Sequence, residues 1–273
     1  MNIKDKKTYD FRSGYLVLGS GLSAISTISS ILDNKSPPYK KIYVIDAGIT
    51  KANESNIDSS YRDTKKLAPS PKFKSKRNNY VFDYFNKFNN IKEKNFNSVS
   101  SLAKGGLSNI WGATIQPYDE FELNKFPYTS KEKIKNIYLK ILKILCDYDY
   151  SSTKIEKKFF KETKSFIISE PILAINKTFS KRNNCEMSSC ETGCINCNKD
   201  IFNSSYMLEN FINQKKIEYF NNLFIESISK HGEDYHLNCT NLETNENIEI
   251  IGDKIFCCLG VLGTSKLVLD MHK

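Results

Sequence analysis

Tyr15-Leu-Val-Leu-Gly-Ser-Gly-Leu-Ser-Ala24 and Lys41-Ile-Tyr-Val-Ile-Asp-Ala-Gly48 are the two stretches whose reading decides the fold. The first begins as a short apolar run and breaks at two glycines. It then continues with Leu22, Ile25, Ile28 and Leu32 at helical spacing. The second is another apolar run, Ile42, Val44 and Ile45, that closes on an acid. Strand, glycine turn, helix and strand in this order predict a βαβ unit of the kind that binds dinucleotides. Gly19 permits the tight turn out of the strand, and Gly21 lets the backbone approach a pyrophosphate. Ala24, small where a third glycine often stands, lets the helix pack closely on the sheet. The helix N-terminus offers unpaired N–H groups and the positive end of its dipole to phosphate. Asp46 closes the second strand, where a carboxylate can accept hydrogen bonds from a ribose diol. Asn34-Lys-Ser-Pro-Pro38 supplies the loop that lengthens the interval between Gly21 and Asp46. The bland alternative for the same residues is an α/β turn that holds no ligand.

With 273 residues, 40% of them hydrophobic and 12% aromatic, the chain has material for one large domain or two small ones. That composition argues for a globular chain rather than a disordered one. The net charge of +9 is spread among many acids and gives no reason to expect nucleic acid as a partner. Lys65 to Arg77 is the exception, with six basic residues, two prolines and no acid. It reads as a solvated loop, with an anionic partner or membrane surface as the other reading. The opening Met-Asn-Ile-Lys-Asp-Lys-Lys lacks the apolar core of a signal peptide. Tyr15 to Leu32 is too interrupted by glycine and serine to be a transmembrane segment. Eight cysteines without a secretion signal point to reduced thiols and a cytoplasmic location.

Residues 49–100 read as irregular, with Tyr80-Val-Phe-Asp-Tyr-Phe85 as a short element inside them. A loop that long is uncommon unless it is functional or covers a ligand. Thr129-Ser-Lys-Glu132 has capping-box spacing ahead of a helix carrying Ile134, Ile137, Ile141, Leu142 and Leu145 on one face, expected to be core. Ser204 to Gln214 reads as another helix. From Lys216 to Lys254 the pattern alternates over 217–220, 223–228, 235–239 and 248–251. Turn signals at Gly232-Glu-Asp234 and Asn245-Glu-Asn247 predict an antiparallel meander. Ile255-Phe-Cys-Cys-Leu-Gly260 is expected to be a buried strand, with Cys257 and Cys258 in the core, leading into a last helix.

Three separated motifs stand in the order found in one family. Gly19-Ser-Gly-Leu-Ser-Ala24, Gly105-Gly-Leu-Ser-Asn-Ile-Trp-Gly112 and Phe256-Cys-Cys-Leu-Gly-Val-Leu-Gly-Thr264 resemble the flavin domain of the glucose–methanol–choline (GMC) oxidoreductases, in particular their bacterial dehydrogenase-like branch. The resemblance implies an α/β, Rossmann-like FAD/NAD(P)-binding fold with an antiparallel β-meander and a helical, cysteine-rich insertion. The implied organisation is a first part of the FAD-binding domain over 1–128, the insertion over 129–202 and the second part of that domain over 203–273. The family's C-terminal substrate domain is expected to be absent from this sequence. FAD is the implied cofactor. Gly19, Ser20 and Gly21 would contact its pyrophosphate and Asp46 its adenosine ribose. Gly105, Gly106, Ser108 and Asn109 would line the ribityl chain and ring. Ile225 would meet the adenine through its backbone, and Gly260 would sit where the late strand returns to the cofactor.

The implied reaction is hydride transfer from a CH–OH donor, an alcohol or a sugar, to the flavin while a base takes the hydroxyl proton. The family's base is a histidine in its C-terminal part. His231, His236 and His272 match no such motif, and the first two lie around an expected hairpin turn. No catalytic residue is therefore assigned. A truncated enzyme, a split enzyme completed by a second polypeptide and a non-catalytic flavin-binding remnant all remain open. Cys185, Cys190, Cys194 and Cys197 place four thiols close in sequence. They could ligate Zn²⁺ or an iron–sulfur cluster, or stay reduced and structural. A nicotinamide reading rests on Tyr61 with Lys65 and Tyr150 with Lys154, both in polar, irregular stretches, and is disfavoured.

Overall fold

The computed structural model describes residues 7–34, 41–63, 79–115, 120–125, 130–145, 172–174 and 201–271. These fall into two compact units, one formed by described residues up to 110 and from 203 onward, the other by those of 111–202.

The first unit is built on β2 (Tyr15–Leu18), α1 (Leu22–Asp33) and β3 (Ile42–Ile45), after a leading strand β1 (Lys7–Asp10). β2 and β3 pair in parallel, Val17 beside Val44, so α1 is the crossover between them. All residues of β3 and all but the first of β2 are buried, the signature of a parallel sheet covered on both faces. On α1 the buried residues are Ala24, Ile25, Ile28 and Ser29. The expected apolar stripe is therefore only partly inside. Leu22 is half-buried at the helix start and Leu32 is exposed at its end, where the last turn leaves the sheet.

Between residues 49 and 100 the chain forms short 3-10 turns at Glu54–Asn56, Ser59–Tyr61 and Asn79–Val81, and one helical turn, α2 (Phe85–Phe88). Another 3-10 turn, Gly106–Asn109, follows. The unit resumes with α5 (Ser204–Asn213), β6 (Glu218–Phe220), β7 (Leu223–His231), β8 (Asp234–Asn241), β9 (Asn247–Gly252), β10 (Ile255–Cys257) and α6 (Gly260–Met271). In the other unit lie β4 (Thr114–Ile115), α3 (Glu120–Leu123), α4 (Lys131–Leu145) and β5 (Ile172–Leu173), with β4 and β5 antiparallel.

Two four-stranded sheets result, one parallel in the order β10-β2-β3-β6 and one mixed in the order β1-β9-β8-β7. The chain is thus mixed α/β. In the mixed sheet β7, β8 and β9 form the expected antiparallel meander, and β1 adds to β9 in parallel. Its turns use positive φ at Gly232 and Asn245. β6 does not belong to it. That strand pairs with β3 in parallel, Tyr219 beside Val44, because a three-residue strand carries too little alternation to reveal its sheet. One apolar core joins the sheets: Leu16, Leu18, Tyr43 and Ile45 pack with Ile225, Ile228, Leu237, Ile248 and Ile250, and Leu267 of α6 closes it.

Two further expectations are corrected. β10 is an edge strand, so Phe256 is exposed and Cys257 half-buried; only Cys258, just beyond it, is buried. α4 forms as expected, but its apolar face is not core among the described residues. Ile137 is exposed, and Ile134, Ile141, Leu142 and Leu145 are half-buried. Its cap is Ser130, whose Oγ accepts from the Lys133 N–H at 3.2 Å, while Thr129 lies outside the described residues. Truncating the fully buried Leu237 to alanine is expected to lower unfolding free energy by about 2–5 kcal/mol. Leu139→Ala on the exposed side of α4 should cost less than about 0.5 kcal/mol. Urea unfolding of both variants checks the pair.

Candidate functional site

A cleft of about 400 Å³ opens at the C-terminal ends of the parallel strands. Open α/β sheets place their ligands at this edge. One wall is the turn between β2 and α1, from Gly19 to Ser23. Beside it stand Gly106 to Ser108, and the lining continues with residues 99–103, Asp46, Ala47 and Leu223 to Glu226. Leu259 to Gly263, the start of α6, completes it. Most of the lining is apolar, so the polar groups that remain are few and placed.

Gly19 leaves β2 with φ +99°, its N–H bonded to the Ile45 carbonyl. A Cβ there would lie 2.6 Å from the Cys258 carbonyl oxygen, so both conformation and space require glycine. Gly21 differs. Its φ of −72° suits any residue, and a Cβ would meet nothing within 4 Å. α1 starts from it with no side-chain cap and no acid in the first turn. α6 likewise has no acid in its first turn. Two twelve-residue helices therefore bring N-terminal ends, with their unpaired N–H groups and positive dipole ends, to one cleft.

Asp46 is the electrostatic centre. It is buried, and its Oδ2 accepts from the Ser20 hydroxyl at 2.5 Å and the Tyr219 hydroxyl at 3.0 Å. The Gly48 N–H also donates to the carboxylate. Gly48 sits at φ +59°, and a Cβ on it would lie 2.5 Å from the Tyr219 hydroxyl; the glycine makes room for that bond. Burial pushes the Asp46 carboxyl up to about 6, against the bonds from Ser20, Tyr219 and Gly48 and the charge of Lys104, which pull it down. Burial and the neighbouring Asp46 hold the Tyr219 phenol well above its ordinary range, so it remains a donor. Lys104 pairs with Glu209 and lies 5.2 Å from the Tyr219 ring centre.

Of the residues the sequence singles out, Gly19, Ser20, Gly21, Asp46, Gly106, Ser108, Ile225 and Gly260 line the cleft. Ala24, Gly105 and Asn109 do not. Ala24 is fully buried on α1. Gly105, at φ +83°, donates its N–H to Ser20 Oγ at 2.8 Å. Asn109 Nδ2 donates to the carbonyls of Lys104 and Gly106 and holds the turn closed. Ser108 Oγ donates to the Gly105 carbonyl and accepts the Ser204 N–H. Asn203 caps α5 through the Ser205 N–H and donates to Asn109 Oδ1. The Gly105–Asn109 turn is thus fastened to the start of α5, and two of its polar side chains serve the turn itself. Ile225 adjoins a register shift between β7 and β8, which brings Glu226 into the lining as well.

The sequence reading gave no role to Tyr219, Gly48, Lys104 or Asn203. Tyr219 was hidden by placing its strand in the meander, whereas the glycine two positions after Asp46 was a usable signal. His231 and His236 stand near the β7–β8 turn with rings 4.6 Å apart, one beside Ser229 and the other beside Glu249. No histidine among the described residues lines the cleft. Burial raises the Cys257 and Cys258 thiols, which keeps them protonated near neutrality. Cys185, Cys190, Cys194, Cys197, His272, Lys65, Tyr150 and Lys154 lie outside the described residues. Among the described residues no cluster of three or more histidine, cysteine or acidic side chains could hold a metal ion. Nor is any helix among them long and apolar enough to cross a membrane.

Compared with known proteins, the chain matches no family model, and no curated protein matches it.

Because burial raises the Asp46 carboxyl from 3.8 to about 6, its protonated form is favoured by folding. This contribution to stability is present below the unfolded value and is lost as pH rises through about 6. Asn keeps acceptor geometry without the charge. The difference in unfolding free energy between Asp46→Asn and wild type should therefore move in favour of Asn by about 3 kcal/mol from acid to neutral pH. Denaturant unfolding across that range checks it, and a flat difference counts against the buried charge.

Proposed function

We propose that the chain is an FAD-binding protein with a Rossmann-like nucleotide fold, related to the GMC-type dehydrogenases. The observation that carries this reading is the convergence of two helix N-termini, neither with an acid in its first turn, on one apolar cleft at the sheet's C-terminal edge. The residues fit the cofactor: Gly21 leaves room where a Cβ would meet no protein atom, as a pyrophosphate pressed against the backbone requires. In this reading the Gly19–Ser23 turn holds the pyrophosphate and the end of β3 at Asp46 faces the adenosine ribose. The backbone near Ile225 meets the adenine, and Gly106 and Ser108 border the ribityl chain and ring.

Bound FAD supplies acceptance of a hydride from a CH–OH carbon of an alcohol or sugar. The chain's own contribution is to bind and orient. The apolar lining excludes water, and the helix ends neutralise the phosphates. No base for the hydroxyl proton is assigned among the described residues, and a second reading stands beside the first. In that reading the chain binds the flavin nucleotide without turning over an alcohol, or does so only with a second polypeptide that brings the base. A metal or iron–sulfur centre on Cys185, Cys190, Cys194 and Cys197 belongs to the same proposal, as a relay for electrons leaving the flavin.

Gly21→Ala separates binding from folding. Its added methyl meets no protein atom, so unfolding free energy should stay within about 0.5 kcal/mol of wild type. The same methyl occupies the cleft beside α1, so FAD affinity, followed by flavin fluorescence quenching, should fall at least about tenfold. Equal affinity in the two proteins would remove the α1 end from the binding site.

A further inference from the structure

Two neighbouring turns at the cleft are fastened to each other. Ser20 Oγ donates to the Asp46 carboxylate and accepts the Gly105 N–H at 2.8 Å, all three groups being buried. This bond joins residues 85 positions apart and lies buried behind the cleft lining, since Gly105 itself does not face the cleft. Next to it, a Cβ on Gly106 would come within 3.4 Å of Gly21 Cα, so the two backbones already lie close. Gly105 is also held from behind. A Cβ there would lie 2.9 Å from the Ser205 amide nitrogen and 3.0 Å from Asn203 Oδ1, leaving the turn no room to retreat toward α5.

We propose that Ser20 is a positioning residue, which uses the charge of Asp46 to clamp the Gly105 turn against the Gly19–Gly21 turn and so sets the spacing of the two turns that receive a nucleotide. A hydroxyl that donates to a carboxylate is polarised and becomes a stronger acceptor for the next donor in the chain. The Gly105 N–H is that donor. When Asp46 gains a proton, Ser20 loses its charged acceptor and the bond to Gly105 weakens with it. The groups facing the carboxylate set when this happens. Ser20 donates from the β2–α1 turn, the Gly48 N–H from the chain after β3, and Tyr219 from β6. Lys104 attracts it from the turn before Gly105, with its own charge shared by Glu209 of α5. Burial outweighs them all and brings the titration up to about 6, inside an accessible range.

The clamp is a property of the chain itself, and only its effect on affinity rests on the proposed flavin binding. Both parts are tested on the full chain labelled with ¹⁵N-glycine, whose 12 glycines give a countable set of amide signals. In wild type the Gly105 amide should exchange slowly, and its shift should titrate with a midpoint near 6. Asp46→Asn should abolish that titration. Ser20→Ala should abolish it and speed Gly105 exchange at least about tenfold. FAD affinity, measured by fluorescence on the same samples, should weaken about tenfold in wild type from neutral pH to about pH 5 and be flat in both variants. A wild-type Gly105 amide indifferent to pH, or one that still titrates in Asp46→Asn, overturns the clamp. A clamp present in a protein that binds no FAD leaves the positioning role standing and removes the flavin reading. FAD binding with the same pH dependence in Ser20→Ala does the reverse.

Discussion

A carboxylate taken out of water at the end of a strand must be given hydrogen-bond donors, and much of the first unit is arranged around that requirement at Asp46. Ser20 comes to it from the turn after β2, which fixes how the chain leaves the sheet. Tyr219 comes from β6, and its reach depends on β6 lying beside β3 in parallel register. Gly48 has no side chain because the Tyr219 hydroxyl occupies that space. Ser20 in turn engages Gly105, so a single buried charge links four segments far apart in sequence. Removing any donor leaves the charge underserved, which is a larger loss than one hydrogen bond between neutral groups.

The cleft follows from the same arrangement. Once the turn at Gly19–Gly21 is drawn toward Asp46, α1 begins at the edge of the sheet with its first turn facing open space. α6 begins nearby, since Cys258 bonds back to Leu18 and the chain then turns at Gly260 with φ +74°. Neither helix brings an acid in its first turn to answer its own dipole. The mixed sheet contributes part of the lining through β7, and its packing against the parallel sheet through Leu16, Ile45, Ile225 and Leu237 keeps that part in place. An anionic ligand with an apolar body is what such a surface accommodates: backbone N–H groups for the anion, aliphatic and aromatic side chains for the rest.

Much of this was legible in the sequence. The glycine turn at Gly19, the crossover helix and the closing acid of β3 are local patterns, and local patterns survive in a linear reading. The meander from Leu223 to Gly252 was legible for the same reason, with its turns marked by Gly232 and Asn245. What escaped depends on contacts between distant residues. Tyr219 and Asp46 are 173 positions apart, and nothing in the alternation of a three-residue strand says which sheet it joins. β10 has the same apolar character as a central strand, so its edge position is a matter of topology. The stripe on α4 satisfies helical periodicity whether or not anything covers it. Ser108 and Asn109 were expected to line a flavin's ribityl chain and ring; Ser108 lines the cleft, Asn109 does not, and residue type alone did not separate side chains that face a cleft from those that hold a turn together.

The most direct test is an absorption spectrum of the purified protein, prepared anaerobically and recorded again after incubation with FAD and removal of the excess. Flavin bands that stay with the protein and bleach with dithionite are the expected result. An added broad shoulder that bleaches with them would place an iron–sulfur centre on the four cysteines. A protein that remains colourless after incubation with FAD would contradict the assignment of the cleft to a flavin nucleotide.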